Sequence, residues 1–400
     1  MVVRATPARP HAIDEVARAN ARWYFTGLAA SLVGNSAMSL VAGVWVKSLT
    51  GSSAQAGLAG ACTYAGTLIA PLGGLIADRL PRRPLLLGLN LVAAATVALL
   101  LLVRSRAEIW VVFAVMAGYG LEATLMSPAE DALFAQMFTA EFRRRINGWR
   151  LTIQEAGRLA SPLLGAGLFV LVGGGAVAAL DAATFVAAAL VITRLRVNEA
   201  GVAGHARAEP FGRALRAGVS HIRSTDGLRQ LAVAAALVMA LSGVGVAAQY
   251  SLVHAIGERP AFLGVLAALL GGGSVLAALS AGRLIERFGE PTLALVGLAN
   301  FAAGNLFRAT GWLPAAVLGS FVLGFALPYV FLATLSIAQR LTPHHLQGRV
   351  SAAVTLALFG PQAPMQALGS WLIAHAGYAT VLGASAAMSL AIGGWLAVSR

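Results

Sequence analysis

The sequence predicts an all-α membrane protein of twelve transmembrane helices, arranged as two pseudo-symmetric six-helix bundles. Three observations predict it. The 400-residue chain is 58% hydrophobic and only 11% charged, whereas an ordinary soluble domain carries about 25% charged residues. So little charge cannot clothe a water-facing surface, and lipid is the solvent such a chain fits. The basic residues fall in short clusters between apolar runs long enough to cross a bilayer. Two stretches of the first half recur in the second at nearly constant spacing.

Residues 1–22 are polar and hold Arg4, Arg9, Arg18 and Arg22. The apolar run after them, about 25 residues, is too long for a signal-peptide core. Residues 1–22 therefore read as a cytoplasmic tail and 23–47 as the first span. Further runs of roughly 18–25 residues, the length of a membrane-crossing helix, lie at 54–77, 84–103, 108–128, 147–172 and 174–194. They complete an N-terminal bundle over 23–194. Residues 195–228 form the one sizeable polar segment, a cytoplasmic central loop. Runs at 229–253, 260–284, 291–308, 312–338, 350–374 and 378–398 make a C-terminal bundle over 229–400.

Charge tests this map. With both termini inside, 23 of the 29 Lys and Arg residues fall in cytoplasmic segments and 5 in outer ones, with Arg158 inside a span. That asymmetry is the positive-inside pattern of a cell inner (plasma) membrane protein. In the central loop, Phe211, Leu215, Val219 and Ile222 share one helical face, beside Arg213, Arg216 and Arg223. Two readings stand: a basic amphipathic helix on the cytoplasmic lipid surface, and a solvated linker of partial helix.

Composition also excludes. The net charge of +13 is dispersed in topogenic clusters, which argues against nucleic acid as a partner. Cys62 is the only cysteine, ruling out an intrachain disulfide or a multi-cysteine metal site. The only lysine, Lys47, follows Gly43-Val44-Trp45-Val46, so the chain has no phosphate-binding G-x-x-x-x-G-K-[ST] loop. H-E-x-x-H and G-x-S-x-G are also absent. No cofactor, metal or enzymatic activity is expected. The partners expected are the bilayer, a small-molecule substrate and protons, with the chain working as a monomer.

The halves repeat in detail. Gly74-Leu75-Ile76-Ala77-Asp78-Arg79-Leu80-Pro81-Arg82 follows the second span, and Gly282-Arg283-Leu284-Ile285-Glu286-Arg287-Phe288-Gly289 follows the eighth. Ala135-Gln136-Met137-Phe138-Thr139-Ala140 is echoed by Ala338-Gln339-Arg340-Leu341-Thr342-Pro343. The first loop matches G-x-L-A-D-R-x-G-R-K-x-x-L at Gly74, Ala77, Asp78, Arg79, Arg82 and Leu86, with Ile76 for Leu, Arg83 for Lys and Pro81 for Gly. In this motif, position and echo, the chain resembles the major facilitator superfamily over nearly its whole length. The resemblance implies a cytoplasmic gate at Gly74, Asp78, Arg79, Arg82 and Arg83, echoed by Gly282, Glu286 and Arg287, with the region of Arg349 as its partner.

The fifth span is similar to the exporter branch's G-(x8)-G-(x3)-G-P-(x2)-G-G. Here it reads Gly148, Gly157, Ser161-Pro162 and Gly165-Ala166. Leu49-Thr50-Gly51-Ser52-Ser53, Asn147 and Asp181-Ala182-Ala183-Thr184-Phe185 resemble the enterobactin-exporter and macrolide-efflux branch. Two departures bear on proton coupling. Asn35 stands where that branch often has Asp, and Ala114 where many proton-coupled drug antiporters have Arg.

Glu122, Glu155, Arg158 and Asp181 fall inside spans of the first half. Each costs about 2.5–3.5 kcal/mol at a helix centre, so each must be paired or face a wet cavity. Glu155 and Arg158, three apart, share a face and can pair locally. Glu122 has no opposite charge on its own helix, which suits it to carry a proton. Asp181 reads either as a structural acid or as a third proton-coupling candidate. The second half offers neutral polar and aromatic groups. Gln249, Tyr250, Asn300, Tyr329 and Gln362, with Asn35 from the first half, are candidates to line a cavity for an amphipathic organic molecule. The expectation is a proton-coupled exporter of small organic molecules working by alternating access. The alternative is an uptake carrier or facilitator for a nutrient or metabolite.

Overall fold

The computed structural model describes residues 10–65, 80–197, 211–343 and 346–399, and among these it contains only helices, turns and short connections. Helix α1 runs Pro10–Thr50. At about 1.5 Å per residue it is roughly twice as long as the ~30 Å hydrocarbon core, so the later part of the predicted tail continues the first span as one rod. It ends where Gly51 adopts φ 70°, a backbone that favours glycine. Lys47 ties that turn down, its Nζ donating to Gly51 O at 2.7 Å and Ser53 Oγ at 2.8 Å. Helix α2 follows over Ser53–Ala65.

Helix α3 (Arg82–Ala98) tightens into a 3₁₀ turn over Leu99–Leu102. A reciprocal cap between Ser105 and Glu108 then opens α4, Ile109–Met137. Helix α5 spans Ala140–Arg194, broken at Gly173, whose φ of 81° and ψ of 174° are not helical. The apolar runs place the boundary between the fifth and sixth spans at this residue.

The second half comprises α6 (Phe211–Ser224), α7 (Asp226–Val244), α8 (Ala248–Ala255) and α9 (Leu263–Phe288). It continues with α10 (Glu290–Ala309), α11 (Leu313–Leu341), α12 (Gln347–Phe359), α13 (Gln362–Ala376) and α14 (Tyr378–Val398). Eight stretches of the described helices are long and apolar enough to cross a membrane. The predicted spans outside that set differ for separate reasons. Span 54–77 is described only to Ala65. Span 350–374 is divided between α12 and α13 at Gly360-Pro361. Spans 147–172 and 291–308 are helical, within α5 and α10, but not among the eight.

The echo seen in the sequence extends to the helices. Helices α4 and α11 are each 29 residues long, each with an interior proline, Pro128 and Pro328, and they begin 204 residues apart. Helices α3 and α10 begin 208 residues apart. Apolar side chains gather into one large buried cluster drawn from residues 37–195 and another from 228–396. A third cluster joins them: Val44 and Ala56 pack with Tyr250, Leu252, Leu263 and Leu266. Small residues allow this approach. A Cβ on Gly57 would press on Ala247 and Ser370, and one on Gly60 would meet the Gln366 side chain.

The outer face is greasy. Leu171, Leu279 and Val398 are exposed, as are six of the seven tryptophans, Trp23, Trp110, Trp149, Trp312, Trp371 and Trp395. Exposed leucine and tryptophan at helix ends suit a lipid boundary. Helix α6 lays its apolar side on the protein. Gly218 faces the Arg349 carbonyl and Ala353, and Ile222 joins the second core cluster. Gly212, Arg213, Arg216, Ser220 and Arg223 point outward.

Candidate functional site: a buried polar cluster between α1, α3, α4 and α5

Two buried acids of the first half lie where four helices meet. Glycine makes the room: a Cβ on Gly34 of α1 would collide with the Asp181 carboxylate and the Thr184 hydroxyl of α5. Asp181 has no solvent exposure, and Glu122, on α4, is 7% exposed. Tyr119 sits one turn before Glu122 on the same face of α4, its ring edge-on to Phe185 at 5.8 Å.

The Tyr119 hydroxyl lies 3.1 Å from Asp181 Oδ2 and 2.9 Å from Asn35 Oδ1. Asn35 Nδ2 donates onward to Ser31 Oγ at 3.4 Å. Thr184 donates to the Asp181 carbonyl at 2.8 Å and sits 3.4 Å from Asp181 Oδ1. Thr96 of α3 donates to Glu122 Oε1 at 3.2 Å, while Glu122 Oε2 is buried without a partner.

Among the described residues no Lys, Arg or His lies within ion-pair distance of either carboxylate. Burying a bare carboxylate costs several kcal/mol even after relaxation. Hydroxyl partners offset only part of that cost for Glu122 and Asp181. That makes both acids candidates for groups that take up and release a proton. Among the described residues no group of three or more His, Cys, Asp or Glu is placed to hold a metal ion.

The other predicted residues fall in several places. Gly74, Asp78 and Arg79 lie outside the described residues. Arg83 donates from Nε to the Ile192 carbonyl at 3.1 Å and from Nη2 to that of Thr193 at 2.6 Å, tying the end of α5 within its own half. Arg82 is partly buried. In the second-half echo, Gly282, Glu286 and Arg287 are exposed, Arg287 lying over the Phe288 ring.

Gly148, Gly157, Ser161 and Pro162 are helical residues of α5, and the side chains of Glu155, Arg158, Ser161 and Pro162 are outside the description. Gly165 is packed so closely on Ala37 that a Cβ would overlap it. Tyr250 is buried with its hydroxyl against Gly43, across the seam between the halves. Gln362 is a tie between helices, donating to Met239 O at 3.0 Å. Tyr329 is buried beside Ser280 at 2.9 Å, whereas Gln249 and Asn300 are half-buried. Arg308, one of the five basic residues that the span map puts on the outer side, is only 6% exposed.

Sequence reasoning missed Tyr119, Thr96 and Thr184 as members of the cluster. The signal for Tyr119 was its spacing: three residues before the acid in the middle of α4.

Comparisons with known proteins agree with this architecture. The family model described as Major Facilitator Superfamily matches residues 23–248. Macrolide efflux protein A of Streptococcus pyogenes is 24% identical over 220 residues, 54% of this chain and 54% of that protein. The match thus spans about half the length of that relative. Macrolide efflux protein A of Enterococcus faecalis is 23% identical over 292 residues, covering 70% of this chain and 88% of that one. Among solved structures, the nucleoside transporter NupG superposes with a TM-score of 0.75 at 12% identity, covering 96% of this chain and 98% of that chain, a likeness of fold. With more than half of its length matched by the family model, and with the fold and loop signature in agreement, the chain belongs to the major facilitator superfamily.

Proposed function

We propose that this protein is a secondary transporter that exports a small organic molecule across the inner (plasma) membrane in exchange for protons. Twelve spans in two six-helix bundles, over 23–194 and 229–400, carry the work, with both termini in the cytoplasm and one chain as the working unit. The observation that carries the reading is the pair of buried acids, Glu122 and Asp181, held in an apolar bundle with no cation within ion-pair distance among the described residues. A fixed structural charge has no reason to sit there, whereas a proton carrier must be shielded from bulk water until its side opens.

Export, rather than uptake, rests on the two macrolide efflux relatives and on the small-residue pattern of Gly148, Gly157, Pro162 and Gly165. In the proposed topology the seam of Val44, Ala56, Tyr250 and Leu263 lies on the outer side. Rocking the bundles apart at that seam exposes the bound molecule to the outside.

Proteoliposomes loaded with a macrolide antibiotic and given an imposed pH gradient test the proposal. The macrolide is expected to move against the proton flow, and Glu122→Gln and Asp181→Asn are each expected to abolish gradient-driven movement. Movement with the protons would make the protein an uptake carrier. Undiminished antiport in both variants would remove these acids from the mechanism.

A further inference from the structure

Tyr119 has one hydroxyl proton but two acceptors facing it. Its oxygen lies 2.9 Å from Asn35 Oδ1 and 3.1 Å from Asp181 Oδ2. If Asp181 is a carboxylate, Tyr119 must donate to it, and two oxygens then face each other at Asn35 with no hydrogen between them. If Asp181 carries a proton, every bond is made. Asp181 donates to Tyr119, Tyr119 donates to Asn35 Oδ1, and Asn35 Nδ2 donates to Ser31 Oγ, which is the orientation the Asn35 amide has at 3.4 Å.

Among the described residues, the groups around Asp181 are Tyr119 and Glu122 on α4, Asn35 and the backbone of Gly34 on α1, and Thr184 on its own helix. None of these is a cation, and the second acid, Glu122, accepts from Thr96 at Oε1. We infer that Tyr119 and Asn35 are positioning residues that transmit the protonation state of Asp181 from α5 through α4 to α1.

The transmission is a reversal of hydrogen-bond direction. When Asp181 loses its proton, Tyr119 turns its hydroxyl to the carboxylate. The Asn35 amide rotates half a turn about its terminal torsion, which has two nearly equivalent wells. Nδ2 then donates to Tyr119 and Oδ1 accepts from Ser31, a hydroxyl able to play either part. One proton leaves, no other covalent bond changes, and three helices exchange donors for acceptors together. An amide is the side chain this needs at 35, since an aspartate there has no N–H to give. The family's exporters often have Asp at this place, so the relay is a property of this chain's own residues.

The inference rests on the proton-coupled reading, but its test needs no substrate. Infrared spectra of the purified full chain in lipid vesicles, recorded as a function of pH, read carboxylic acid groups directly. A C=O band that Asp181→Asn removes is expected. Tyr119→Phe keeps the ring against Phe185, and Asn35→Ala removes the amide. Both are expected to change the frequency of that band and to displace its titration midpoint by about half to one pH unit, the equivalent of one hydrogen bond. Thr96→Val, acting on Glu122, is expected to leave it in place.

A band with unchanged frequency and midpoint in Tyr119→Phe and Asn35→Ala overturns the relay, as does the absence of any band removed by Asp181→Asn. Should Tyr119→Phe fail to fold, Asn35→Ala and Asn35→Asp decide alone. If the relay bands respond but no proton-driven macrolide movement is found, the transport proposal fails and the relay stands. If transport is proton-driven but the bands are indifferent, the relay fails and the transport proposal stands.

Discussion

Glu290 opens α10 and receives Arg340 of α11 in two hydrogen bonds, 3.0 Å to Oε1 and 3.2 Å to Oε2, with Ser336 donating at 3.3 Å. The two partners differ in burial: the Glu290 side chain is 10% exposed and that of Arg340 58%. Removing the arginine leaves a buried carboxylate short of donors, while neutralising the acid leaves an arginine already in contact with water. Arg340→Ala is therefore expected to lower stability by about 1.5–3 kcal/mol, the worth of hydrogen bonds to a charged group, and Glu290→Gln by clearly less. Thermal unfolding of the purified protein checks the order, and equal losses would contradict it. The same contrast explains what was legible at this scale. Acids at 122 and 181 stand out in an apolar run because their cost is intrinsic to the residue. Tyr119, Thr96 and Thr184 do not, because a tyrosine or threonine on a membrane helix serves packing equally well, and only the fold reveals which carboxylate it meets. The pairing of Asp131 with Arg150 was likewise hidden, since the reach between α4 and α5 is not written in either helix.

Close helix crossings set the strictest conditions on single elements. On α4, a Cβ at Gly120 would occupy the space of the Thr63 carbonyl of α2, whereas on α3 a Cβ at Gly88 meets nothing within 4 Å. Gly120→Val must push two backbones apart and is expected to cost about 1–3 kcal/mol, the usual range for overpacking. Gly88→Ala is expected to be neutral or to gain up to about 1 kcal/mol, because glycine is the poorer helix former. Denaturation in detergent distinguishes them, and a harmless Gly120→Val would mean that α2 and α4 are not held together there. The positions of most helices could be read from the runs of apolar residues because lipid demands about 20 of them. The break at Gly173 was equally visible, lying in the Gly173-Gly174-Gly175 triplet. Interruptions inside spans were not. Residues 245–247 divide α7 from α8 and Gly360-Pro361 divides α12 from α13, yet hydropathy continues across both. Nor did hydropathy mark where α1 begins, since a helix leaving the bilayer needs no apolar residues.

On the scale of the molecule, the positive residues and the echo between halves make one joint statement about orientation. If the turn at 104–106 faces outward and the segment after α6 inward, a thiol reagent that cannot cross membranes separates them. In a Cys62→Ser background, Arg104→Cys is expected to react on intact cells and Ser224→Cys only after the cells are opened. Labelling of both from outside would overturn the twelve-span topology. The seam between the halves adds its own condition, for it depends on Gly57 and Gly60 admitting Ala247, Ser370 and Gln366. Beside that seam stands the turn fastened by Lys47. Because this is the sole lysine among 400 residues, a dye that reacts with primary amines has a single side chain to find. That side chain is already gripped by the hairpin it closes, so its rate of tagging becomes a native clock for how often the hairpin loosens.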